Sequence, residues 1–168
     1  SDGNSSTTLN IAPTSSEINI AGPTRFENIT LTGSNNVNQG QLQTQQNELV
    51  IGKGVTFSGK INSYFRIGAN NAVSGNEQGT GNIPTFVFDG ITHSVSGQTC
   101  NIRIGTGYGH WMNGANVTIN GGKVADINFH RATQFSENVN IVINGGTIGT
   151  IQKQTNAAFT GTYKFHKA

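Results

Sequence analysis

Short runs of alternating apolar and polar residues, broken by Asn and Gly, recur along this chain, and two are nearly the same text: NVTINGGKVADI at 116–127 and NIVINGGTIGTI at 140–151. Overlaying them pairs Val117 with Ile141, Ile119 with Ile143, Asn120 with Asn144 and Gly121-Gly122 with Gly145-Gly146. Beyond the glycines, Val124 meets Ile148 and Ile127 meets Ile151. Alternation of this kind predicts a half-buried strand. Asn-Gly-Gly ends that strand, because Asn and Gly readily take the positive φ of a sharp corner. A second short strand then follows.

A hairpin sheet does not demand the same residue types every 24 positions, but a coil does. In a parallel coil of strands with roughly 20–25 residues per turn, each turn lies on the one before and must repeat its inward pattern. Asn120 over Asn144 then predicts a side-chain amide ladder at the corner. Looser copies lie upstream. TRFENITLTG (24–33) sets Phe26, Ile29 and Leu31 around a polar break, and NELVIGKGVTFSG (47–59) gives Leu49 and Ile51, two glycines, then Val55 and Phe57. YFRIGANNAV (64–73) and NIRIGTGYG (101–109) place Arg66 and Arg103 outward between apolar neighbours, and TFVFDGITHSV (85–95) offers Phe86 and Phe88 before Asp89-Gly90.

The expected fold is therefore all-β: one single-stranded right-handed parallel β-helix of about six to seven rungs, filling residues 1–168 as one domain. Segments 39–48, 70–82 and 105–116 read as loops that bulge from it, and the final AAFTGTYKFHKA as a last strand or cap. A β-sandwich is the rival fold, disfavoured because its strands have no reason to repeat NGG at a constant step.

Composition sharpens this picture. Only 33% of residues are hydrophobic and 11% charged, well below the roughly 45–50% and 25% of an average soluble domain. Low hydrophobicity produces disorder mainly when net charge is high, and the net charge is +2. Many short strands with Gly/Asn turns account for the same composition. The basic residues form no run of the kind that binds nucleic acid, and no apolar stretch reaches the ~18 residues of a membrane helix. Cys100 is alone, which leaves no disulfide framework, and it reads as a buried thiol. The start, SDGNSSTT, is not a signal peptide and reads as the edge of a fragment of a larger protein.

The two NGG rungs, TRFENITLTG and LVIGKGVTF resemble the right-handed parallel β-helix modules of secreted and cell-surface bacterial proteins, adhesin-like or pectate-lyase-like. That resemblance covers about two thirds of the chain. It implies a secreted or surface location and a carbohydrate- or surface-related role, and it supplies no catalytic residue.

In a solenoid, function sits on outward side chains and in loops. Within ADINFHR, Ile127 and Phe129 inward leave Asp126, Asn128 and His130 outward, with Arg131 at the edge. The 24-residue shift sets Thr150, Gln152 and Gln154 beside them, a polar strip able to hydrogen-bond sugar hydroxyls or simply to meet solvent. The loop GTGYGHWMNG carries Tyr108, His110 and the one tryptophan, Trp111. Such rings stack on the apolar face of a pyranose or fold back to cover the coil.

Catalytic constellations are thin. Glycoside hydrolysis needs two carboxylates across a sugar ring, and outward Asp89 and Asp126 have no evident acidic neighbour. The histidines at 93, 110, 130 and 166 lack zinc spacing, and no cofactor is implied. An ice-binding face needs Thr-x-Thr at one place on successive rungs, and TLT at 30–32 has no stacked partner legible in the sequence. The expected function is a non-catalytic, monomeric module for a polysaccharide, a host or cell-surface glycan or a protein. The alternatives are a structural spacer or adhesin segment and a polysaccharide lyase or glycoside hydrolase-like β-helix.

Overall fold

A computed structural model describes residues 7–10, 17–20, 22–32, 40–44, 48–58, 63–67, 83–105, 110–112, 114–129, 133–135, 139–153, 158–159 and 163–167. Every element among them is a strand and every pairing is parallel. The chain opens with β1 (Thr8–Asn10) and β2 (Glu17–Ile20). Three circuits of three strands follow: β3 (Thr24–Phe26), β4 (Thr30–Thr32) and β5 (Gly40–Thr44); β6 (Glu48–Ile51), β7 (Thr56–Ser58) and β8 (Ser63–Ile67); then β9 (Thr85–Phe88), β10 (Thr92–His93) and β11 (Cys100–Ile104). After β12 (His110–Met112) come β13 (Ala115–Ile119), β14 (Lys123–Phe129) and β15 (Thr133–Phe135). The last circuit is β16 (Val139–Ile143), β17 (Thr147–Lys153) and β18 (Ala158–Phe159), and β19 (Tyr163–Lys167) closes the chain.

Each sheet collects one strand per circuit, in chain order. Sheet A is β1-β4-β7-β10, sheet B β2-β5-β8-β11-β14-β17, sheet C β3-β6-β9-β13-β16-β19 and sheet D β12-β15-β18. This is an all-β, parallel arrangement compatible with a β-solenoid, and sheets B and C each hold six strands.

Why these residues form these strands follows from what each circuit must place inward. In sheet C the register runs Ile51, Phe88, Ile119, Ile143, and in sheet B Phe65, Ile102, Ile127, Ile151. Leu49, Ile51, Phe65, Phe86, Phe88, Ile102, Ile119 and Ile127 are fully buried in one continuous core. Phe57 of sheet A meets Phe65 of sheet B edge-on at 6.2 Å, and Phe65 meets Phe86 of sheet C at 5.2 Å, so the three sheets share an interior. Cys100 belongs to that core.

The corner between sheet C and the next strand is a stack of matched residues. Asn144 Nδ2 donates to Asn120 Oδ1 at 2.8 Å, and Asn120 Nδ2 donates to Asp89 Oδ1 at 2.6 Å. The expected amide ladder is present, and its lower end is a carboxylate. A second ladder, Asn140 Nδ2 to Asn116 Oδ1 at 3.0 Å, runs up the outward side of sheet C. Of each Asn-Gly-Gly, only the second glycine takes positive φ, +80° at Gly122 and +90° at Gly146. A Cβ on Gly146 would lie 2.6 Å from Gly122 O, so closeness to the circuit below excludes a side chain as firmly as backbone strain does.

Three expectations change. Segment 39–48 is not only loop, because Gly40–Thr44 joins sheet B with Leu42 in register with Ile18 and Phe65. Segment 105–116 likewise contributes β12, whose backbone pairs with β15. Segment 70–82 lies outside the described residues. The third change concerns TLT at 30–32, which does have stacked partners. Thr8, Thr30, Thr56 and Thr92 form one continuous register row, and Asn10, Thr32 and Ser58 another. Ser94 extends the second row through its N–H bond to Phe57 O at 2.9 Å. Loops of unequal length between circuits hide this match from any fixed-interval comparison.

Two outcomes follow from this packing. Gly146→Ala should cost about 1–3 kcal/mol through strain and displacement of the neighbouring backbone, read as a lowered urea midpoint, whereas Gly97→Ala, with open space around it, should show only the φ penalty. His93 occupies the inward row with Leu31 and Phe57, and burial pulls its imidazole below the usual histidine value. The unfolded chain therefore takes up that proton first. The stability at stake is fully present above pH about 6.5 and falls as pH drops through the lower folded value. Urea midpoints between pH 7.5 and 5.5 should slope downward more in the native chain than in His93→Leu.

Candidate functional site

Strand β14 reads KVADINF, with Val124, Ile127 and Phe129 buried. Two residues rather than one separate inward Val124 from inward Ile127, so the strand turns at Ala125. The circuit above follows it closely, since a Cβ on Gly149 would lie 2.5 Å from Ala125 O. Pairing with β11 begins just after this turn, at Asp126 opposite Asn101. The turn thus aims Asp126 and Asn128 off the core on sheet B.

Asp126 is the hub of what lies there. Thr150 Oγ1 donates to its Oδ1 at 2.7 Å, Gln152 Nε2 to its Oδ2 at 3.1 Å and Asn128 Nδ2 to the same Oδ2 at 3.4 Å. Asn128 is only 8% exposed, and its Oδ1 is buried with no hydrogen-bond partner. An orphaned acceptor of this kind normally costs about 1–3 kcal/mol.

The register extends this cluster into two rows of backbone positions across the six strands, with polar side chains described from β8 to β17. One row is Glu17, Gln41, Tyr64, Asn101, Asp126 and Thr150. The other is Asn19, Gln43, Arg66, Arg103, Asn128 and Gln152. Arg66 and Arg103 are direct partners and half-buried, each flanked along its strand by fully buried neighbours. Among the described side chains, the guanidinium groups of Arg66 and Arg103 stand in line with carboxylate, amide and hydroxyl groups, a mixture suited to a ligand rich in hydroxyls. Paired carboxylate chemistry is poorly served on this face. Among the described side chains of these rows Asp126 is the one carboxylate, whereas glycoside hydrolysis needs a pair ~5–9.5 Å apart.

The sequence-predicted residues fall into two groups. Asp126 and Asn128 come together with Thr150 and Gln152 as the 24-residue shift requires. Tyr108, His130 and Arg131 lie outside the described residues, as does Gln154. His110 and Trp111 lie on β12, in register with Thr133 and Gln134, so the backbone of this stretch is a paired strand and not a free loop. Sequence reasoning missed Asn101, Arg66 and Arg103 as members of the Asp126 face. Their signal was available: NIRI and YFRI align with DINF once their buried residues are superposed. Among the described residues no three His, Cys, Asp or Glu side chains group as metal ligands, and no helix is long and apolar enough to cross a membrane.

The chain matches no family model, no curated protein and no solved structure.

Because Asp126 gathers three donors, Asp126→Ala should lower stability by about 1–2 kcal/mol. Thr150→Ala should cost less, since two donors to the carboxylate remain. Urea denaturation of both variants beside the native chain checks the order.

Proposed function

We propose that this chain is a non-catalytic, secreted or cell-surface module that binds carbohydrate or another hydroxyl-rich surface ligand on the outward face of sheet B. The observation that carries the reading is the Asp126 cluster, in which one carboxylate accepts from Thr150, Gln152 and Asn128 beside the half-buried Arg103 on the neighbouring strand, with acceptor capacity left over. A carboxylate held in this way is a fixed acceptor network. It lacks the second acid that glycoside hydrolysis requires. Polar rows that run from β8 to β17 suit an extended chain lying across the strands, contacted a little at each rung.

The scaffold for this reading is one right-handed parallel β-helix. Handedness rests on a general rule, since crossovers between parallel strands of one sheet are right-handed in about 98% of cases. The secreted or surface location rests on the resemblance of the NGG rungs to surface β-helix modules.

A panel of plant, microbial and host glycans, probed with the native chain and with Asp126→Ala, Arg103→Ala and Trp111→Ala, tests it. The expected result is at least one specific hit weakened tenfold or more by Asp126→Ala or Arg103→Ala, a change of about 1.4 kcal/mol. A hit lost with Trp111→Ala alone would move the site to sheet D. A blank panel would overturn the glycan reading and leave the structural spacer in front.

A further inference from the structure

The outward side of sheet A has a different character from sheet B. Its rows hold Thr8, Thr30, Thr56 and Thr92 side by side, and Thr32 and Ser58 beside them two residues along each strand. All of these are exposed or half-exposed. Between the rows, Leu31 and Phe57 turn inward and are buried to within 1% of completely, which anchors each strand from below. Backbone bonds of 2.9–3.0 Å hold the corresponding segments of successive circuits together: Thr30 N–H to Thr7 O, Thr56 N–H to Ile29 O, Thr92 N–H to Val55 O and Ser94 N–H to Phe57 O. Hydroxyl-bearing positions therefore repeat in two directions, about 4.8 Å from strand to strand and about 6.6 Å along each strand.

A surface periodic in two directions gains most from a ligand that is also periodic in two directions, because many weak contacts then fall into step at no further ordering cost. Three kinds of solid present such a lattice. A charged mineral surface would call for charged side chains, and these rows contain none. A crystalline polysaccharide would call for aromatic platforms, and no aromatic residue occupies the outward rows. What remains is a neutral hydrogen-bonding crystal. Threonine offers it both a hydroxyl to join the lattice and a methyl group that keeps disordered water out, and the repeat has the same few-ångström scale as the oxygen rows of ice.

We propose that the outward face of sheet A binds the surface of ice, through the threonine row Thr8-Thr30-Thr56-Thr92 and its neighbours Thr32 and Ser58. This is a second face, independent of the glycan reading on sheet B.

Thermal hysteresis and inhibition of ice recrystallisation, measured on the purified chain, test the proposal. The native chain should shape ice crystals and slow recrystallisation at micromolar concentration, beyond a size-matched inert protein. Thr56→Lys, at the centre of the array, should abolish the effect. Thr92→Lys, at its exposed edge, should weaken it, and Lys123→Ala, exposed on sheet B, should leave it intact. Circular dichroism and urea midpoints identify a variant that has lost its fold, and Thr92→Lys keeps the test decisive should Thr56→Lys do so. A native chain without effect on ice overturns the proposal, as does full activity retained by both folded lysine variants. Ice binding with a blank glycan panel, or the reverse, assigns success and failure separately to the two faces.

Discussion

Everything in this structure depends on one constraint: in a stack of parallel strands, a residue lies directly on its equivalent one circuit away. An apolar side chain is buried only if the circuits above and below also place an apolar group there. This is why sheet B sets Phe65, Ile102 and Ile127 in one row and sheet C sets Ile51, Phe88 and Ile119 in another. It also explains how a chain with 33% hydrophobic residues supports a continuous core. The few apolar residues are concentrated in inward rows, and the Gly, Asn, Thr and Ser that make up the difference serve corners and outward faces. Ile151, on the last circuit of its row, is 41% exposed while its partner Ile127 is fully buried, so burial is conferred by the next circuit and not by the strand alone.

The same constraint turns polar residues into ladders. A buried amide column would be costly if any member lacked a partner, but at an exposed corner each asparagine both donates and accepts along the stack, from Asn144 through Asn120 to Asp89. Net gains of about 0.5–1.5 kcal/mol per bond are modest. The larger effect is on register. A slip of one residue would break both amide ladders at once and move the inward row outward. Glycine completes the corner from the other side, since Gly122 and Gly90 approach so closely that a Cβ on Gly122 would lie 2.5 Å from Gly90 Cα.

How much of this was legible in the sequence depended on circuit length. Where successive circuits keep the same length, as from Ile119 to Ile143, overlaying the text at a fixed interval recovered the strands, the corner glycines, the Asn ladder and the Asp126–Thr150 and Asn128–Gln152 neighbours. Where a circuit carries a longer excursion, as between Ile51 and Phe88, the same method failed. Thr56 and Thr92 lie side by side although the interval between them is unlike that from Thr30 to Thr56. The strands Gly40–Thr44 and His110–Met112 were hidden for another reason. Gln, Gly and isolated aromatics read as loop chemistry, and only their neighbours' register shows that the backbone continues a sheet.

Outward residues are constrained by cross-strand pairing but not by a core, so what they repeat is also informative about use. The outward rows of sheet B change residue type at almost every rung: Arg66, Arg103, Asn128 and Gln152 in one, Asn101, Asp126 and Thr150 in the other. Those of sheet A keep threonine at all four rungs of one row. A varied row offers a distinct set of donors and acceptors at each level and suits a ligand whose own groups vary along its length. A uniform row offers the same group at each level and suits a ligand that repeats. Solvation alone favours neither pattern, since any polar residue satisfies it. Both patterns are carried by one backbone, because parallel stacking fixes the spacing of outward side chains as strictly as it fixes the core beneath them.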